Sequence, residues 1–256
     1  MQTISNRVRS AFARRFLIAL RRATHRLPVQ LETVHRARVL VLAPHFDDES
    51  IACGGTLLLH QLAGSEVRVV FVSDSSGALA DPVAAEQVRA TRRLEMKQVQ
   101  SALSLASVVE LGFPDGALVR HERAIAERLA ETLKTFLPEQ VFCPFPVDAH
   151  ADHQATALAF ALATELSGWQ GEVLAYEVWS TLWPNLGVDI GSVADAKARL
   201  IRLYASQMGD RDYAEAILGL NRYRGLQHGV PFAEAFHRSD AAQFRRLAAC
   251  LDSFGA

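Results

Sequence analysis

The strongest constraint in this chain is a rhythm: short, continuous apolar runs alternate with longer amphipathic stretches. The runs "ARVLVLAP" (37–44), "EVRVVFVSD" (66–74), "SVVELGF" (107–113), "QVFCPFP" (140–146) and "EVLAYEVW" (172–179) read as strands covered on both faces. Between them, "GGTLLLHQLA" (54–63), residues 83–105, residues 121–137, which stop at Pro138, and "ADHQATALAFALATEL" (151–166) suit helices. From about residue 193 the pattern is mainly helical. Strand–helix alternation of this kind predicts an α/β fold, with a mostly parallel sheet and helices on both faces.

With 256 residues, half of them hydrophobic, the chain can bury one large core. The net charge of −1 gives no case for a nucleic-acid binder. Charge is uneven, however. Residues 1–30 hold Arg7, Arg9, Arg14, Arg15, Arg21, Arg22 and Arg26 and no acid, which leaves a net of −8 for the rest. Residues 4–27 read as an amphipathic helix with Val8, Phe12, Phe16, Leu20 and Leu27 on its apolar arc. Three readings fit it: packing on its own domain, packing on a second subunit of a homo-oligomer, or contact with an anionic membrane surface. The division expected is a basic extension over 1–30 and one α/β domain over 31–256. Cys53, Cys143 and Cys250 form no metal or disulfide spacing and read as reduced thiols. No apolar run reaches the ~18–20 residues of a membrane span, so a cytoplasmic protein is expected, peripheral to the membrane if 1–30 docks there.

In open parallel sheets, ligands bind beyond the carboxyl ends of the strands. Two polar clusters fall at such ends: "HFDDES" (45–50) after the first run and "DAHADH" (148–153) after the fourth. His45 and Asp48 sit three apart in a turn, and His153 opens a helix. Two imidazoles and one carboxylate suit a catalytic Zn²⁺, and equally a non-haem Fe²⁺, so the ligands alone do not fix the metal. Asp47 is then free as a general base, and Glu49 is expected to face the positive end of the following helix. His150 suits a donor to an oxyanion or an acid for a leaving amine, and Asp152 suits a carboxylate that orients a histidine ring. The serines of "SDSSG" (73–77) lack a nucleophile context. "CGGT" (53–56) is not a phosphate loop, and its glycines suit close helix–sheet packing. Trp169, Trp179 and Trp183 read as core or rim residues.

"APHFDDESIACGGTL" and "FPVDAHADHQAT" resemble the two signatures of the PIG-L/LmbE-like N-acetylglucosamine deacetylases. Further similar segments follow in order: "RRLE" (92–95), "LGFPDG" (111–116), "YEVWSTLWPN" (176–185), "KARLIRLYASQ" (197–207) and "AEAF" (233–236). The resemblance covers about residues 36–237. It implies a Rossmann-like (LmbE-like) fold and one zinc held by His45, Asp48 and His153. It implies Asp47 as general base, and a protonated His150 as oxyanion or acid partner supported by Asp152. Arg92 and Asp115 match positions suited to substrate contact. The implied reaction is hydrolysis of the acetamide of an N-acetylated amino sugar, giving acetate and a free amine. The alternatives are a zinc amidase on sugar–thiol conjugates, or a non-catalytic protein that docks on carbohydrate or membrane. One departure is clear: Phe46 stands where the family usually has proline, and a bulky ring there is expected either to shape the sugar pocket or to leave the site unchanged.

Overall fold

The computed structural model describes residues 30–209 and 212–255. The amphipathic segment 4–27 lies outside them. The expected strands form at β2 (Arg38–Ala43), β3 (Glu66–Ser73), β4 (Ser107–Phe113), β5 (Gln140–Pro144) and β6 (Glu172–Tyr176). Helices α1 (Asp48–Leu62), α2 (Pro82–Ala102), α3 (Glu122–Phe136) and α4 (Ala151–Ser167) connect them. Strands β1 (Gln30–Glu32) and β7 (Leu186–Asp189) are additions to the sequence reading, and they pair parallel with each other. Helices α5 (Ala194–Arg202), α6 (Ala205–Met208), α7 (Tyr213–Leu226) and α8 (Ala241–Gly255) make the C-terminal part helical, as expected.

One stretch there departs from the helical reading: β8 (Ala233–Asp240) is a strand, antiparallel to both β6 and β7. Its "AEAF" start is built of good helix formers. Two flanking strands offering unpaired backbone groups decide its conformation instead. The sheet is therefore mixed, in the order β1-β7-β8-β6-β5-β2-β3-β4.

Strand β2 shows why the apolar runs are continuous. Leu40 and Leu42 point to one face, and Val39, Val41 and Ala43 to the other; all five are fully buried. The first face packs on Ile125, Leu129 and Leu133 of α3, Phe160 of α4 and Phe244 of α8. The second packs on Leu57 of α1, Met96 and Val99 of α2, and Leu200 of α5. Cys53 and Cys143 are buried free thiols.

The topology fixes where a ligand can sit. From β2 the chain moves outward to β3 and β4, then returns to β5 on the other side of β2. The crossovers on the two sides of β2 diverge, so a crevice opens between the carboxyl ends of β2 and β5. Val39, Leu40 and Val41 pair with Gln140, Val141 and Phe142, which levels those two ends.

Helix α1 is kinked at Cys53 (φ −134°, ψ 15°). The kink frees backbone N–H groups inside the helix, and Glu234 of β8 accepts them from Gly55 at 2.8 Å and Thr56 at 2.7 Å. Lys197 Nζ lies 2.6 Å from the same fully buried carboxylate and neutralises it. A Cβ on Gly55 would lie 2.8 Å from Ile190 Cγ2 and 3.0 Å from Glu234 Oε1, so this glycine serves the close approach expected of it. The first turn of α1, Asp48–Ala52, is thereby aimed independently of the rest.

Candidate metal centre and active site

The chain leaves β2 at Ala43 and turns sharply through His45–Asp47 into α1. Asp47 carries the turn at φ 122°, ψ −28°, a left-handed conformation that costs a side-chain-bearing residue ~1–3 kcal/mol. The surroundings hold it there. Its carbonyl accepts from Ser50 and Ile51 N–H, both at 2.9 Å. The N–H of Phe46 donates to Ser75 Oγ at 2.8 Å, and the Phe46 carbonyl accepts from Gln207 Nε2. Ser75 thus has a structural task in the loop after β3.

Phe46 itself settles the question its sequence raised. The ring is fully buried in the core, edge-on to Phe71 with centroids 4.7 Å apart. It does not line a sugar pocket. Proline there would have no N–H for Ser75.

Asp48 is the first residue of α1 and is buried. Its Oδ2 accepts the His45 backbone N–H at 2.9 Å. The same oxygen lies 3.3 Å from His45 Nδ1 and 3.2 Å from His153 Nε2. His153 is fully buried, yet among the described residues neither of its ring nitrogens has a hydrogen-bond partner. Two imidazole nitrogens therefore crowd one carboxylate oxygen, and the fully buried one does so without hydrogen-bond geometry. Separations of this size match donors around a tetrahedral ion, which stand about 3.3 Å apart for bonds of about 2.0 Å. His150 completes a set of three imidazoles that offer ring nitrogens within 4.8 Å of one another.

The outer nitrogens face carboxylates. His45 Nε2 is 3.2 Å from Asp115 Oδ1 and 3.2 Å from Asp152 Oδ2. Asp152 is held by the N–H groups of Gly116 at 2.7 Å and Leu118 at 3.1 Å. Its carboxylate therefore meets His45, not His150. It reaches His150 only through its backbone, whose N–H donates to His150 Nδ1 at 3.2 Å. With Nδ1 accepting, the proton of a neutral His150 ring resides on Nε2. Burial, then the His45 and His153 imidazoles, lower the His150 pKa.

Charges in the cluster follow one logic. Burial opposes the charge on His45, but Asp115, Asp152 and Asp48 outweigh it and hold this imidazole well above its ordinary value. Burial likewise opposes His153, which Asp48 and Asp148 raise to about 9. Asp48 is held well below the usual carboxylate range, because His153 and His45 outweigh its burial. Burial and the charge of Asp48 push Asp47 well above that range. A site so rich in carboxylates draws positive charge to itself, and a divalent ion would supply it.

Two further acids belong here. Glu49 lies in the first turn of α1, as expected, and is fully buried. It accepts from Ser50 Oγ at 2.7 Å and Tyr204 Oη at 2.8 Å, and from the Asp47 N–H at 3.3 Å. Burial raises its pKa to about 7. Asp148 is buried between "FPV" and His150, and its carboxylate accepts the His150 N–H at 2.9 Å. The signal for both was position alone, since each is one more acid in an acid-rich stretch.

Arg92 of α2 and Asp115 also arrive at the site. Arg92 Nη1 donates to the Ser75 carbonyl at 3.0 Å and stands 4.0 Å from Asp115 Oδ2. Asp115 accepts from Gly77 N–H at 2.7 Å, besides facing His45. At the rim, Trp179 and Trp183 are about half exposed, whereas Trp169 is buried.

An α/β fold with helices on both faces, gathering histidines and carboxylates at its switch point, carries a candidate metal-binding site. The PIG-L family, described as GlcNAc-PI de-N-acetylase, matches residues 40–164, and over that span the chain is similar to it. Diacetylchitobiose deacetylase of Thermococcus kodakarensis is 26% identical over 187 residues, 66% of this chain and 70% of that protein. The 2'-N-acetylparomamine deacetylase of Streptomyces fradiae is 26% identical over 234 residues, 78% of this chain and 82% of its own. Among solved structures, N,N'-diacetylchitobiose deacetylase from Pyrococcus horikoshii aligns at a TM-score of 0.73 and 24% identity, covering 94% of this chain and 96% of that one. Among the described residues, no helix is long and apolar enough to cross a membrane.

Proposed function

We propose that this protein is a metal-dependent N-deacetylase that hydrolyses the acetamide of an N-acetylglucosamine-type sugar, releasing acetate and the free amine. The observation that carries the reading is the convergence of His45 Nδ1 and His153 Nε2 on one oxygen of Asp48, with Asp47 next in the chain. The named relatives, all deacetylases of amino sugars, support the substrate class.

His45, Asp48 and His153 would hold the ion; zinc is the proposed metal, and the same donors suit Fe²⁺. When bound, such an ion lowers the pKa of water toward ~7 and polarises an acyl oxygen. Asp47, made more basic by burial and by Asp48, takes a proton from the attacking water. The Nε2–H of His150 donates to the oxyanion as the carbonyl becomes tetrahedral. The C–N bond then breaks, and the proton held by Asp47 balances the one the departing amine requires. Arg92 and Asp115 are proposed to meet the sugar hydroxyls, and Asp152 to hold His45 in orientation. Contact of residues 1–30 with a membrane or a second subunit stands as a separate proposal, tested by liposome sedimentation and sizing with and without that segment.

The test is acetate release from N,N'-diacetylchitobiose and from N-acetylglucosamine. Activity abolished by a chelator and restored by Zn²⁺ is the expected result. Fully zinc-loaded protein that releases no acetate from either sugar would sink the reading.

A further inference from the structure

His45 and His153 share a pattern. Each turns one ring nitrogen toward Asp48 Oδ2 and the other toward a carboxylate. For His45 those outer partners are Asp152 and Asp115, each 3.2 Å from Nε2. For His153 it is Asp148: Nδ1 lies 3.5 Å from Asp148 Oδ1, the carboxylate nearest to it, and makes no hydrogen bond to any described residue.

Asp148 is built into place. It is 2% exposed. One oxygen accepts the His150 N–H at 2.9 Å, and the other accepts the Trp179 N–H at 3.0 Å. Gln154 of α4 donates to its carbonyl at 2.6 Å. The carboxylate is thus fixed from β5's loop, from α4 and from the loop after β6, and its remaining acceptor capacity faces His153. A neutral imidazole has one N–H and one lone pair, and which nitrogen bears which is set by the partner of the N–H. With a carboxylate on the Nδ1 side, the proton belongs there, and the Nε2 lone pair is turned toward Asp48.

We infer that Asp148 is a positioning residue that fixes His153 as its Nδ1–H tautomer and so presents Nε2 to a metal ion at Asp48. The inference rests on the metal site proposed above, but not on the identity of the substrate. Because the same carboxylate carries the N–H groups of His150 and Trp179, it also ties the oxyanion donor and the half-exposed indole at the rim to the metal ligand.

Two measurements test it, and neither uses a sugar. The first is the ring tautomer of His153, read from long-range ¹H–¹⁵N correlations in protein with ¹⁵N-labelled histidine, with the resonance identified by its loss in His153→Gln. The second is Zn²⁺ affinity by chelator competition in wild type, Asp148→Asn and Asp148→Ala. The expected results are the Nδ1–H tautomer in the zinc-loaded wild type and an affinity lower by about 10–100-fold in both variants. An Nε2–H tautomer overturns the inference, as does an affinity within about threefold of wild type in both variants. If a variant fails to fold, the wild-type tautomer decides alone. Absence of acetate release with normal zinc binding would remove the deacetylase reading and leave Asp148's role standing.

Discussion

The Tyr204 hydroxyl donates to Glu49 Oε1 at 2.8 Å, between residues 155 positions apart. The other Glu49 oxygen accepts the N–H of Asp47. Tyr204 therefore reaches the strained turn at the proposed general base through a single carboxylate. Tyr204→Phe removes one hydrogen bond to a buried acid, a loss of about 1–3 kcal/mol. We predict a lower denaturant midpoint together with reduced turnover in acetate release, and Zn²⁺ affinity unchanged in chelator competition. Unaltered turnover would show that the turn does not depend on this contact.

Asp47 pairs a chemical role with an unfavourable backbone. Asp47→Asn is predicted to bind zinc yet lose about 10²–10⁴-fold in turnover, the usual share of general-base catalysis. At φ 122° the backbone prefers glycine, so Asp47→Gly is predicted to be about 1 kcal/mol more stable than Asp47→Ala. Both would be inactive. Equal unfolding midpoints for the two variants would count against strain at this position.

Phe46→Pro would introduce the residue that the resemblance leads one to expect and still harm this chain. It empties a fully buried ring position against Phe71 and removes the N–H that Ser75 accepts. The predicted loss, about 3–5 kcal/mol as for large-to-small aromatic changes, is measurable by urea unfolding. Sugar specificity should not change in whatever folded protein remains, because the ring lies in the core.

His60 of α1 makes stability depend on pH. It is buried, its Nδ1 is 2.9 Å from Ser65 Oγ, and burial lowers its pKa to about 4 from the model-peptide 6.5. The unfolded chain thus takes up a proton at higher pH than the folded one. Stability is full above pH ~6.5 and falls as pH drops toward ~4, by roughly 3 kcal/mol in total. His60→Gln should flatten the difference between unfolding free energies at pH 7 and pH 5. An unchanged pH slope would contradict a neutral buried His60.

Lys197 and Glu234 form a fully buried ion pair that serves the α1 kink. Lys197→Met leaves the carboxylate unpaired and is predicted to cost about 3–5 kcal/mol in thermal or urea unfolding. The double variant Lys197→Met/Glu234→Gln should recover part of that loss, which distinguishes an uncompensated charge from lost packing.

The sequence by itself determined the five parallel strands around β2, because strands buried on both faces must be apolar throughout, and that pattern is local. It also determined that His45–Asp48 and His150–His153 lie at strand ends, since polar residues directly after such runs have nowhere else to go. Only the tertiary structure decided that those ends are neighbours. That follows from the reversal of strand order between β5 and β3 around β2, a choice made by helix packing on both faces. It likewise decided β8, where pairing with β6 and β7 overrode the helix-forming residues of Ala233–Phe236. The direction of Phe46 into the core, the turn of Asp152 toward His45, and the burial of Asp148 and Glu49 among their partners were decided the same way. Each depends on a contact with a residue distant in sequence, and no local pattern records such a contact.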